Sequence, residues 1–135
     1  MRILRNKFFS IIRIKNFASA KNMQYIINAE NQKLGRLASQ IALLLQDKNR
    51  PAYDPKLPGI NRIVVENASK ISFTGKKFSD KIYHHHTGYM GHLRENTLRG
   101  IFEKSPEKVL WMAIFNMLPK NRLRAKRLNR LVIKK

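Results

Sequence analysis

Four histidines, two tyrosines and two glycines crowd into the fourteen residues KIYHHHTGYMGHLR, 81–94. Residues of these types serve three chemistries: metal ligation, proton transfer, and ring or backbone contact with a nucleic acid. Spacing discriminates among them. His84, His85 and His86 are consecutive, and consecutive side chains on an extended chain point to opposite faces, so the three do not converge on one ion. Metal-binding histidines favour i, i+4 spacing on a helix and a supporting carboxylate. Only Asp80 and Glu95 are near, and neither has an evident reason to converge. A general base needs a partnered nucleophile, which the segment lacks. What remains is rings that stack on bases and imidazoles that donate to phosphate, beside the plain alternative of ordinary surface or packing histidines. Gly88 and Gly91 have no Cβ and allow close backbone approach.

The preceding stretch, GKKFSDK (75–81), has a superficial likeness to a phosphate-binding loop. The nucleotide-binding pattern needs an upstream glycine and a Ser or Thr directly after the lysine. Here the upstream glycine is missing and Lys77 follows Lys76. Lys76, Lys77 and Lys81 read better as contacts to a phosphate backbone, or as a solvated basic face.

Composition points the same way. In 135 residues there are 28 Lys+Arg against 8 Asp+Glu, a formal net charge of +20. Such an excess repels itself and attracts polyanions, nucleic acid first, then an anionic membrane surface or an acidic protein. Cysteine is absent, which excludes disulfides, Cys-based zinc sites and thiol nucleophiles. No apolar run approaches the roughly 18–20 residues that cross a bilayer.

The elements that must position these residues are readable from periodicity. QYIINAE (24–30) and RIVVEN (62–67) are β-prone runs, and KISFTG (70–75) alternates before a turn at Gly75. Between the first two, Leu34, Leu37, Ile41, Leu44 and Leu45 recur at helical spacing, with Asn31 as a cap. The stretch 49–61 holds three prolines and a glycine and reads as a loop. Thr97 to Lys104 predicts a short helix. A longer one follows, with Ser105 as cap, Pro106 in its first position and Glu107 in its first turn. Val109, Leu110, Met112, Ala113 and Met117 make its buried stripe, and Pro119 ends it.

Both ends are basic and free of acid. Residues 1–22 carry six basic residues interleaved with apolar ones. That is the pattern of a mitochondrial import signal, or of a retained extension that lies on RNA. From Lys120 to Lys135 there are eight more. Leu123, Leu128 and Leu131 among Arg122, Arg124, Lys126, Arg127 and Arg130 predict a helix with one leucine face. Its lack of Trp or Phe weakens a membrane-surface reading, and arginine suits structured RNA. One domain over 23–135, including the tail 119–135, follows from length.

The segments LGRLASQIALLL, INRIVVENASKISFTGKK, DKIYHHHTGYMG and PEKVLWMAIFNMLPKNRL, in this order, resemble the universal large-subunit ribosomal protein L-thirteen family, bacterial type. The resemblance spans about residues 24–133. Its most specific motifs are Tyr83-x-x-His86-Thr87-Gly88-Tyr89-x-Gly91 and Met117-Leu118-Pro119-Lys120. It implies an α/β fold, three-layer α/β/α around a mainly parallel four-stranded sheet, and a structural role on large-subunit rRNA beside neighbouring ribosomal proteins. It implies no catalysis, cofactor, metal, membrane or small-molecule substrate. Matching positions place Lys76, Lys77, Lys81, Tyr83, His86, Thr87, Gly88, Tyr89, Gly91, Pro119 and Lys120 against rRNA. The basic residues Arg94, Arg122, Arg124, Lys126, Arg127 and Arg130 join them on charge. Arg36 matches the LGRLA position, as an rRNA contact or a packing residue. His92 stands where the family usually has a glycine. The expected compartment is a mitochondrial ribosome, with a bacterial or plastid ribosome as alternative. Two rivals stand: an RNA-processing enzyme using the histidines, and a binder of membrane surfaces or acidic proteins.

Overall fold

The computed structural model describes residues 12–16 and 23–135 of the chain. The import-signal reading of 1–22 therefore falls largely outside the described residues. The fold is mixed α/β with a mostly parallel sheet. Strand β2 (Met23–Asn28) turns Tyr25 and Ile27 inward, and β3 (Arg62–Glu66) is buried through its centre. They pair in parallel, Tyr25 opposite Ile63 and Ile27 opposite Val65. A parallel pair needs a crossover, and helix α1 (Leu34–Leu45) supplies it. Its Leu37, Ala38, Ile41, Ala42 and Leu45 are buried, the single stripe that a 3.6-residue period produces.

Strand β6 (Leu131–Ile133) adds to β3 in parallel, and β1 (Ile12–Asn16) adds to β2 antiparallel, for the order β1-β2-β3-β6. Part of the block expected to be an extension thus forms a sheet edge. Helix α4 (Pro106–Met117) closes the core over α1: the Ser39 hydroxyl meets the Met117 sulfur at 3.3 Å. Leu110, Ile114 and Leu118 complete a cluster with Ile27, Leu37, Ile41 and Ile63. Each such side chain contributes about 1.5–3 kcal/mol by leaving water.

Several local expectations are corrected. Asn31 does not cap α1. It sits in a left-handed turn (φ 57°) and donates its N–H to Lys70 O, while Lys33 holds the cap position. The run 70–75 is not a strand: 68–70 is a 3₁₀ turn, and only Ser72 bridges, to Lys33. Ser105 occupies the cap position of α4 without a side-chain bond; its backbone carbonyl accepts Lys108 N–H instead. The buried stripe of α4 runs through Ile114, whereas Met117 is exposed. The C-terminal leucines do not share one helix. Helix α5 (Leu123–Leu128) stops, and Leu131 enters β6, because Leu131, Val132 and Ile133 satisfy β3's open ladder.

The loop between α1 and β3 is held from both sides. The Asp47 carboxylate accepts the amides of Ile60 (2.6 Å) and Asn61 (3.3 Å). Gly59 has φ 88°, and a Cβ there would lie 2.8 Å from Leu45 O. Gly59→Ala is therefore expected to destabilise the chain by roughly 2–4 kcal/mol, combining left-handed strain with a clash against backbone. Urea unfolding checks it; an unchanged midpoint would show that the loop yields without cost.

Candidate nucleic-acid interface

The histidine segment is a β-hairpin standing apart from the main sheet. Strands β4 (Ile82–His86) and β5 (Leu93–Thr97) pair antiparallel, Tyr83 opposite Asn96 and His85 opposite Arg94. A lone two-stranded hairpin is marginal in water, so its base must be anchored. Leu98, buried at the start of helix α3 (Leu98–Lys104), donates its N–H to Lys81 O at 2.7 Å. Thr97 caps that helix by accepting Gly100 N–H. Next to it lies the one-turn helix α2 (Lys77–Asp80). Phe78 holds it in an aromatic trio with Phe73 (5.4 Å) and Phe102 (5.1 Å from Phe73, edge-on). That trio fixes Lys76, Lys77 and Lys81 beside the hairpin.

Alternation separates the histidines as their spacing requires: His84 and His86 share a face with Glu95, and His85 shares the other with Tyr83 and Arg94. Glu95, for which no convergence was expected, lies opposite His84, with Oε1 3.3 Å from Nδ1. Both are half exposed, so the pair is worth little to stability. At the tip, Thr87 N–H donates to His92 O, His92 N–H donates to Tyr89 O, and Gly88 N–H donates to His86 Nδ1 at 3.0 Å. Gly88 (φ 94°) and Gly91 (φ 74°) take left-handed conformations, with open space where a Cβ would be. The turn therefore presents Tyr89 at 75% exposure and Met90 at 97%. His92 packs edge-on to Tyr89 at 6.5 Å.

A cleft of about 300 Å³ opens beneath the hairpin's base, lined by Lys33, Lys77 and Lys81 with Ser72, Thr74 and Asn116. Among the described residues no carboxylate lines it. Lys81 also lies 5.0 Å over the Tyr83 ring. Lys33 was not among the expected contacts. It precedes α1, 44 positions before Lys77 in the sequence, and only the fold brings the two to one cavity. Gly35 and Met117 line the same cleft, so Arg36 and the segment Pro119–Lys120 lie one to three residues from it.

The C-terminal arginines divide. Arg122 and Lys126 are exposed. Arg127 is 1% exposed and donates to Pro58 O (3.3 Å) and Leu57 O (3.2 Å). Arg130 donates to Gly59 O and Pro58 O. Burial draws its guanidinium below the ordinary arginine value, with Asp47 opposing and Arg127 adding to the effect. Arg124 donates to Leu118 O (3.0 Å) and lies 4.1 Å over the Phe115 ring. These three side chains, expected on the RNA face, are occupied within the fold. For Arg127 and Arg130 the missed signal is the loop itself, whose Leu57, Pro58 and Gly59 carbonyls turn toward the two guanidiniums around left-handed Gly59, whereas Arg124 is held by Leu118 O and the Phe115 ring.

Among the described residues no group of three or more His, Asp or Glu converges as a metal site, and no helix is long and apolar enough to cross a membrane. Comparison with known proteins agrees with the geometry. The profile of the family described as ribosomal protein L13 matches residues 22–134. The protein named large ribosomal subunit protein uL13 of Thermosipho africanus is 50% identical over 109 residues, 81% of this chain and 73% of its own. Its namesake in Syntrophus aciditrophicus is 48% identical, covering 81% and 77%. That of Clostridioides difficile is 43% identical over 114 residues, covering 84% and 80%. With a family match across more than four-fifths of its length, an anchored and ring-bearing hairpin, and a carboxylate-free lysine cleft beside it, the chain belongs to the ribosomal protein L13 family.

Proposed function

We propose that the protein is a structural constituent of the large ribosomal subunit, and that it binds large-subunit rRNA through the hairpin and the lysine cleft. It is not an enzyme. The observation that carries the reading is the juxtaposition of an exposed ring-and-glycine tip with a cleft that three lysines line and, among the described residues, no carboxylate does. The cleft takes backbone phosphates, which position the complex; the tip takes unstacked bases or a close backbone. The contact set is Lys33, Lys76, Lys77, Lys81, Tyr83, His86, Thr87, Gly88, Tyr89, Gly91, Arg94, Pro119, Lys120, Arg122 and Lys126. Arg124, Arg127 and Arg130 carry a structural role instead. We further infer that the sheet is covered on both faces, giving three layers around four strands. Val64, on the face away from α1 and α4, is only 7% exposed, which supports a second cover. As to compartment, the relatives are bacterial, which supports the bacterial-type alternative, while the acid-free block 1–22 supports mitochondrial import. N-terminal mass spectrometry on native large subunits, read with the source of those subunits, separates the two.

The test is binding of the full chain to a large-subunit rRNA fragment across salt. Each phosphate contact removed should lower the slope of log affinity against log salt by about 0.7–0.9. Changing Lys33, Lys77 and Lys81 together to Ala should lower it by about 2–3. An unchanged slope would sink the cleft. Equal affinity of the native chain for an unrelated duplex of the same length would sink specific recognition.

A further inference from the structure

Strand β6 borders the main sheet opposite β1. On its inner side Arg130 O accepts Ile63 N–H (3.0 Å) and Lys134 N–H donates to Val65 O (2.8 Å). Backbone groups alternate along a strand, so the N–H and C=O of Leu131 and Ile133 point outward. Among the described residues no strand lies there. Beside this edge runs a groove of about 280 Å³, lined by Glu107, Lys108, Trp111, Leu131 and Ile133. Trp111 is 41% exposed, a large ring on the outer face of α4. It is also fixed in place. Its ring stacks on Phe115 at 5.1 Å and 16°, and the Arg124 guanidinium covers Phe115. An aromatic side chain held rigid before binding is the usual anchor of a protein interface, because little rotamer freedom is lost when it is covered.

We propose that this groove receives an extended segment of a neighbouring large-subunit protein, added as a strand to β6, with an apolar side chain over Trp111 and carboxylates toward Lys108 and Lys135. The identification of the partner as a ribosomal protein rests on the ribosomal reading above. Three observations choose the occupant. The open edge offers donors and acceptors in alternation, which a peptide backbone matches. A phosphodiester backbone carries acceptors only, and the outward carbonyls of Leu131 and Ile133 repel it. Among the described residues Lys108 lines the groove and Lys135 follows Ile133 by two positions, on the same side of the alternating strand, against a single lining carboxylate, Glu107, so an acidic segment is favoured. A second copy of this chain, with net charge +20, is disfavoured by self-repulsion.

The test uses the full chain assembled into large subunits, with p-benzoylphenylalanine in place of Trp111. Irradiation should yield a cross-link to one large-subunit protein, mapped to a segment that carries carboxylates beside an apolar residue. Ile133→Pro removes an outward N–H while leaving the β3 ladder its bonds, as edge strands tolerate. It should lower the cross-link yield about tenfold, the equivalent of about 1.4 kcal/mol. Trp111→Lys, exposed and clear of the core, should leave rRNA affinity of the free chain within about twofold, since it contacts no phosphate. Cross-links to rRNA alone, to a second copy, or to nothing would overturn the proposal, as would a yield unmoved by Ile133→Pro in a chain that still melts at the native temperature. Failure of the wild-type chain to bind rRNA would instead strike the ribosomal reading, and is measured separately.

Discussion

Replacing Arg127 by alanine is expected to lower the melting temperature by roughly 10 °C, a loss of about 3 kcal/mol for a chain of this size. The reasoning is local. The side chain is fully buried, and its guanidinium supplies donors to Leu57 O and Pro58 O, carbonyls that the loop turns inward. A hydrogen bond from a charged donor contributes about 1.5–3 kcal/mol, and truncating a fully buried side chain also leaves a cavity. Arg130 reaches the same Pro58 oxygen, so the two substitutions will not add. Arg127→Lys should recover less than half of the loss, because an ammonium does not reproduce the planar fork. Circular dichroism melts decide the matter. Affinity for rRNA, measured below the melting transition, should stay within about twofold, since the side chain bears on no phosphate. An Arg127→Ala protein with an unshifted melt and a tenfold weaker complex would make Arg127 an RNA ligand after all.

The second large effect is expected at the hairpin tip. Tyr89→Ala should weaken binding to the large-subunit rRNA fragment by roughly 5- to 150-fold, the 1–3 kcal/mol of one base stacked on an aromatic ring. Tyr89→Phe should retain most of the affinity, because stacking uses the face of the ring and not its hydroxyl. Neither change should move the melting temperature, since the ring is three-quarters exposed and packs only edge-on to His92. The slope of affinity against salt should also stay as it was, because tyrosine carries no charge to release a counterion. That separates the tip from the lysine cleft, whose loss flattens the slope. Full affinity in Tyr89→Ala would leave the tip as a projecting turn without a role in recognition.

The unit β2–α1–β3 was legible because its signals are local. Leu37, Ile41 and Leu45 repeat at the helical period, and Ile63, Val64 and Val65 form a β-branched run bounded by turn residues. The short helix α3 and the Pro106 start of α4 were legible for the same reason. The run Leu128–Ile133 was not. Leucines among arginines fit a basic helix equally well, and the choice of strand came from β3, 68 positions earlier, offering an unpaired edge. Tertiary pairing overrode a weak local preference.

The candidate site divides along a similar line. Composition alone points to a polyanion, and alternation along an extended chain parts His84, His85 and His86. The motif Tyr83-x-x-His86-Thr87-Gly88-Tyr89-x-Gly91 marks the tip glycines and Tyr89 as one stretch. Which cations face solvent was a different question. Arg122, Arg124, Lys126, Arg127 and Arg130 look alike in a row, yet the 47–61 loop takes up Arg127 and Arg130, the end of α4 takes up Arg124, and Arg122 and Lys126 stay outside. Lys33 joins Lys77 and Lys81 only because the parallel crossover through α1 brings Ser72, beyond β3, back beside Lys33. By itself the sequence determined charge, period and motif, all properties of near neighbours on the chain. Burial and convergence were decided by the tertiary structure, because they depend on which distant carbonyl needs a donor and which distant strand needs a partner.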